Sequence, residues 1–342
     1  MRYVLEGSVQ PSGAQVRVNA QLIDADSGAH LWAEQFDTPR AELLQMQDEI
    51  VTRPAHAIDY QFPLVRGAVV KPAPAANPDA GDLALQCLAI RFKVNSGQKD
   101  DPGYSLCEQA LAIDPNNTLA LNVLSFKYWW PAREGRSADP KGDFKRGDEL
   151  VSKALALDPN YGYAHHTKAM ILGSQGHLEE SIAEDERALA LDPSIVDAYL
   201  VMGSVYRGFG QFEKSLELID KAIRLSPRDP GISYWYKEKS DTLFALKEYD
   251  QAIEWARRSM TIDPSLPGSN RTLVAALAMS GHVSEAHEAL KRYLALPNSD
   301  LRTIAAVKAF NARFVNERTD QRVIDALDRR IEGYRKAGMP ET

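Results

Sequence analysis

Cysteine is scarce in this chain: Cys87 and Cys107 stand alone among 342 residues. Neither belongs to a C-x-x-C pair, which excludes the cysteine spacing of a zinc or dithiol redox site. Small buried packing residues are the expectation for both, with a redox-sensitive bond between them as the alternative. Long apolar runs are missing as well. No stretch of about 18 apolar residues occurs and no charged-then-apolar leader opens the chain. The expectation is therefore no membrane span within the chain and a cytoplasmic location, or the far side of a membrane if a span lies upstream. Positive charge is in deficit, with 40 Lys and Arg against 47 Asp and Glu, a net charge of −7. Phosphate neutralisation needs a basic surface, so nucleic acid is not expected as a partner.

The residues of catalysis are thin too. No GxxxxGK[ST] loop and no strand-borne GxGxxG is present, and Gly208-Phe209-Gly210 reads as a turn between helices. The seven histidines are scattered. His165 and His166 are adjacent and leave a helix in different directions, and His282 and His287 are five apart, which suits no helical metal pair. Glu179-Glu180 and Glu184-Asp185-Glu186 read as the solvated face of a helix. No catalytic residue, metal or cofactor is expected, and the chain reads as no enzyme.

What is present is a repeat. ALAIDP ends at Pro115, ALALDP at Pro159 and again at Pro193, AIRLSP at Pro227, SMTIDP at Pro264, and YLALPN carries Pro297. The intervals are 44, 34, 34, 37 and 33 residues. A period near 34 is the signature of stacked helical hairpins that cannot bury their apolar faces singly. In the unit from Gly162 to Ile195, Ala169, Leu172, Ser181 and Ala188 fall where two antiparallel helices touch. Tyr199, Gly203, Tyr206, Ser215, Ala222 and Pro227 repeat that order in the next unit. Tyr236, Ser240, Leu243, Ala252 and Pro264 do so again, and Val274, Leu277, Gly281, Ala286 and Tyr293 a fourth time. Upstream, Leu121, Ser125 and Tyr128 with Gly147, Val151 and Ala154 form a unit stretched by the connection Pro131–Gly142. Leu85, Leu88, Cys107 and Ala110 form a degenerate first one. Six repeats result. Two further helices are expected over 299–314 and 319–336, the second with Val323, Leu327, Ile331 and Tyr334 on one stripe, as a cap requires.

This order resembles the tetratricopeptide repeat, with aromatic, Leu, Gly and Tyr on its first helix and Ala, Phe, Ala and Pro on its second. The resemblance implies a mainly α, right-handed helical solenoid over residues 81–342 that binds a protein or peptide partner. It also implies that positions two, five, nine, twelve and thirteen of each first helix line a groove. Those positions hold Asn122, His166, Lys237 and Arg271 (five), Phe126, Met170 and Asp241 (nine), Trp129, Arg207 and Phe244 (twelve) and Trp130 (thirteen). Aromatic and Arg side chains are the usual anchors of binding energy. The alternative for Trp129 and Trp130 is that they pack the 131–142 connection. Of the Lys/Asn/Arg clamp that chaperone-binding arrays carry, Asn122 alone fits, so a chaperone partner is not expected.

Residues 1–60 follow another rule. Tyr3–Val9 and Ala29–Phe36 read as strands, and between them Val16, Val18, Ala20 and Leu22 alternate with polar residues. A helix is expected over 41–58, and a Pro- and Ala-rich linker over 61–80. The segment resembles the second half of a TolB-amino-terminal-like domain, which precedes tetratricopeptide repeats in proteins that often begin with a class III adenylate cyclase or winged-helix domain. The resemblance implies a truncated α+β lobe of three strands and one helix. Its open edge Tyr3–Val9 is expected either to order poorly or to pair with a second copy in a homodimer. Two functions stand side by side: a non-catalytic interaction module of a bacterial signalling protein, or a fragment of a cyclase-type enzyme whose catalytic domain lies outside these residues.

Overall fold

The computed structural model describes residues 3–13, 15–25, 28, 30–39, 79–93 and 103–342, the last without 135, 228, 230, 298, 300, 314 and 318. It is mainly helical. Two compact units divide it, Met1–Gln175 with Ala183–Val196, and Gly176–Ile182 with Asp197–Thr342.

The first unit opens on three antiparallel strands, β1 (Tyr3–Ser12), β2 (Gln15–Asp24) and β3 (His30–Pro39), in spatial order β1-β2-β3. The period of two in β2 decides its faces. Val16, Val18 and Ala20 are buried. The alternate residues carry polar pairs across the sheet: Arg17 to Asp37 at 2.8 Å, Asn19 to Ser8 at 3.2 Å and Gln21 to Glu6 at 2.9 Å. All three strands outrun the expected spans because these pairs extend the ladder to Ser12↔Gln15 and Gln15↔Pro39. Pro11 is tolerated since β1 is an outer strand of the described sheet. The expected helix over 41–58 and the linker over 61–80 lie outside the described residues, except that Ala80 already opens a helix.

Six helical hairpins follow: α1 (Ala80–Lys93) with α2 (Gly103–Ile113), α3 (Thr118–Arg133) with α4 (Pro140–Leu157), α5 (Gly162–Gln175) with α6 (Leu178–Leu191), α7 (Val196–Gly208) with α8 (Phe212–Leu225), α9 (Ile232–Ala245) with α10 (Tyr249–Ile262), and α11 (Pro267–Met279) with α12 (Val283–Ala295). The recurring hexapeptide is the last turn of each second helix and its stop. Helices α2, α4, α6, α8, α10 and α12 all end two residues before the repeat proline, which cannot continue them and turns its predecessor away from helix. In four of the hairpins the turn between the two helices passes through a left-handed residue. Gly176, Gly210 and Gly281 supply it with φ of 86°, 72° and 91°, and Lys247 holds the same turn at φ 70°. The eighth position is small for steric reasons. A Cβ on Gly203 would stand 2.8 Å from Ile219 Cγ1 and 3.1 Å from the Ser215 carbonyl.

Three local expectations are corrected. Helix α3 runs through Pro131 to Arg133, and α4 begins at Pro140 behind Asp139, whose carboxylate accepts from the Gly142 N–H. The connection is thus much shorter than 131–142. Downstream, α13 (Ile304–Asn311) starts only after Thr303, whose hydroxyl caps Ala306 N, so residues 299 and 301–303 are not helical. The terminal helix α14 (Gln321–Lys336) falls as expected. Finally, Cys87 and Cys107, both buried, are disulfide-bonded and tie α1 to α2. Packing alone was the favoured reading because spacing along two helices says nothing of how closely their faces meet.

Candidate functional site: inner faces of the first helices

In the first unit, α3 presents the aromatic residues. Phe126 and Trp129 lie with ring centroids 4.7 Å apart and Trp129 and Trp130 5.5 Å apart, with the Arg133 guanidinium 5.3 Å over Trp129. Trp129 is 2% exposed, and its indole N–H is shared between the Met170 carbonyl at 3.0 Å and Ser174 Oγ at 2.9 Å. It therefore fastens α3 to α5. Phe126 and Trp130 are half-buried. Replacing Trp129 by phenylalanine is expected to cost about 1–2 kcal/mol through the lost donor. Thermal melts of the variant check this, and an unchanged melting temperature would mean that the indole bond contributes nothing.

Asn122, His166 and Met170 are buried. His166 Nδ1 lies 2.8 Å from Asp185 Oδ1, and His165 Nδ1 2.5 Å from Glu184 Oε2 while its Nε2 meets the Pro159 carbonyl at 3.0 Å. The acidic run on α6 is therefore not one solvated face. Glu179, Glu180 and Glu186 are exposed, but Asp185 is fully buried against the preceding helix. The helical period carries Asp185 inward among exposed neighbours. Asn122 Oδ1 is a buried acceptor with no hydrogen-bond partner among the described residues.

In the second unit the site is ionic. Glu238 on α9 is 0% exposed and was not singled out from the sequence. Its carboxylate accepts from Arg207 on α7 at 2.7 Å, from Lys237 at 2.7 Å and from Ser204 Oγ at 2.7 Å. Asp241, one turn on, meets Lys237 at 3.0 Å, Arg330 of α14 at 3.0 Å, and the Thr272 hydroxyl of α11. Burial pushes the Asp241 carboxyl up, but the charges of Lys237, Arg330 and Arg207 outweigh it and hold the group well below the usual carboxylate range. Burial likewise pulls the Lys237 amine down, and Asp241 and Glu238 more than reverse this. Arg207 is raised by Glu238 and then Asp241 against the same burial. Lys237 lies 5.0 Å over the Tyr234 ring, and Arg271 lies 6.0 Å over Tyr293. Phe244 is 1% exposed and belongs to the core with Leu273, Leu277 and Tyr334. Arg207, Lys237 and Arg271 are half-buried. Glu238 carried one sequence signal, an acid between the two expected groove residues Lys237 and Asp241; Arg330 carried none.

Comparison with known proteins agrees with this architecture. The tetratricopeptide repeat family matches over residues 166–230 and again over 200–267. A curated relative named "Putative adenylate cyclase 3", from Rhizobium meliloti (strain 1021), is 26% identical over 184 residues, covering 53% of this chain and 31% of its own length. The chain thus spans about a third of that relative. Among solved structures, the human IFIT1 dimer with PPP-AAAA is similar at a TM-score of 0.57 and 17% identity, over 78% of this chain and 60% of that one. The protein described as "YrrB: a TPR protein with an unusual peptide-binding site" matches at a TM-score of 0.39 and 19% identity, over 56% of this chain and 96% of its own. At 17% identity the likeness to the IFIT1 structure is one of fold alone. No described helix is long and apolar enough to cross a membrane.

Proposed function

We propose that the hairpins, which match the tetratricopeptide repeat family over residues 166–267, form a non-catalytic interaction module that binds a peptide or protein along the first helices, as the regulatory part of a bacterial signalling protein. The observation that carries this reading is the placement of partly exposed anchor side chains, Phe126, Trp130, Arg207 and Lys237, at expected groove positions of the first helices, each braced by a buried neighbour. Phe126 and Trp130 lean on Trp129, which is fixed to α5, and Arg207 and Lys237 are held by the buried Glu238. Side chains oriented in advance lose little entropy on binding, and Trp and Arg are the residues that concentrate binding energy. The net charge of −7 speaks for a polypeptide over a nucleic acid.

Photo-crosslinking residues introduced at Trp130 and Arg271, one chain at a time, test this in the producing cells. An adduct is expected from each of these positions and not from the exposed Glu186 of α6. Adducts from Glu186 alone would overturn the reading. The curated relative favours a second one, that these residues belong to a cyclase-type enzyme. An immunoblot against the hairpins separates the two, since a band near the 37.9 kDa of this chain speaks for a free-standing module and a much larger one for a multidomain enzyme.

A further inference from the structure

The terminal helix α14 does more than close the end of the second unit. It lies along the positions that the repeat pattern assigns to ligand binding. Arg330 bonds Asp241, the ninth residue of its repeat, and its guanidinium stands 4.9 Å over Phe244, the twelfth. Arg329 donates to the Ala245 carbonyl at 2.8 Å. A Cβ on Gly333 would stand 2.8 Å from the Ala275 carbonyl oxygen and 2.9 Å from Ala275 Cα, so the helix touches the α11 backbone at the ninth position there as well. At its start, Val323 and Ala326 pack with Phe212 and Ala245, and Arg322 pairs with Glu213 at 2.7 Å.

We infer that α9, α11 and the first turn of α8 form a helix-docking groove that α14 occupies in cis. The partner this groove takes is an amphipathic helix presenting Arg-x-x-Gly-aromatic, the pattern of Arg330, Gly333 and Tyr334. The inference rests on reading the hairpins as an interaction module. Three features define the occupant. Asp241 demands a cation that also lies flat on Phe244, which a guanidinium does and an ammonium does poorly. The contact at Ala275 demands glycine, a residue that helix interiors otherwise avoid. The core of Leu273, Leu277 and Tyr293 takes in large apolar side chains, now Ile331 at 7% and Tyr334 at 1% exposed.

The grip of α14 rests on few residues of the helix itself, with Ala337 and Met339 buried just behind it. Of its 16 residues, Ala326, Ile331, Gly333 and Tyr334 are buried. The Arg322–Glu213 pair is exposed on both sides, and such pairs contribute little. A helix of this length has little stability of its own in water. Its advantage over a free competitor is tethering, which sets an effective concentration on the order of millimolar.

A fluorescein-labelled peptide of residues 319–342, added to the full chain, tests the inference by anisotropy. Gly333→Val lifts α14 off Ala275, so the variant is expected to bind the peptide at least about tenfold tighter than the native chain does. The same peptide carrying Arg330→Glu is expected not to bind. Equal affinity for both chains, or none for a variant with native circular dichroism, would overturn the proposal. If Gly333→Val does not fold, Arg330→Glu in the chain takes its place with the same expectations. Hydrogen exchange of the native chain adds a second readout, in which α14 amides exchange before those of α11. Equal protection means that α14 opens only with the whole unit and is no exchangeable occupant. A dimer formed by Gly333→Val on gel filtration would make the occupant a second copy and exclude the partner helix. Loss of peptide binding with intact cross-links from Trp130 and Arg271 would sink this inference and leave the interaction module standing.

Discussion

Glu238→Ala is expected to destabilise the second unit by about 3–5 kcal/mol, the range for removing one partner of a buried ionic cluster. The argument is one of stranded charge. Glu238 is 0% exposed and accepts from two cations and a hydroxyl, and both its oxygens are engaged. Without it Arg207 and Lys237 share a single carboxylate, Asp241, which Arg330 also claims. Ser204 Oγ loses its acceptor as well. Glu238→Gln keeps the shape and one acceptor and is expected to cost less. The paired change Glu238→Leu with Arg207→Met removes both charges of the closest pair and is expected to recover much of the loss, because desolvation and attraction nearly cancel in an intact buried pair. Urea unfolding followed by exchange of α7 and α9 amides reads the three variants. A cost below about 1 kcal/mol for Glu238→Ala would mean that water reaches the cluster and screens it, as at a surface pair.

The same cluster shows where reading a sequence stops. Prolines, glycines and alanines in register foretold six hairpins and their turns, because each type answers a local need: a stop, a left-handed residue, a close approach. Lys247 was invisible at the level of type, since it fills a glycine turn with φ 70° by virtue of its place in the period alone. The strands of β1–β3 were legible from period two, and their ends were not, because cross-strand partners such as Arg17 and Asp37 decide how far a ladder runs. The residues expected to line a groove do fall on the first helices of the hairpins. Their exposure was not legible, since Asp241 and Phe244 are covered by Arg330, 89 residues from Asp241 in sequence. Asp185 shows the reverse failure. In a run of exposed acids, nothing in composition marked the one residue that turns inward to His166.

Removing both cysteines, Cys87→Ala with Cys107→Ala, is expected to loosen α1 and α2 by about 3 kcal/mol, the loop-closure term for a cross-link across 20 residues. The bond matters more here than its single covalent link suggests. Much of the surrounding core is small, with Ala80, Ala84, Ala110 and Ala120 between Leu83, Val123 and Leu124, so the first hairpin buries little apolar area of its own. The loss is therefore expected to be local, with amides of α1 and α2 exchanging about two orders of magnitude faster while those of α9 and α11 keep their native rates. A bond of this kind persists in oxidising surroundings and opens in reducing ones. The native chain measured with and without dithiothreitol should thus reproduce the difference between native and doubly substituted chains. If α1 and α2 exchange alike in all four samples, the alanine-rich interface carries the first hairpin by packing alone, and the cross-link has no part in its stability.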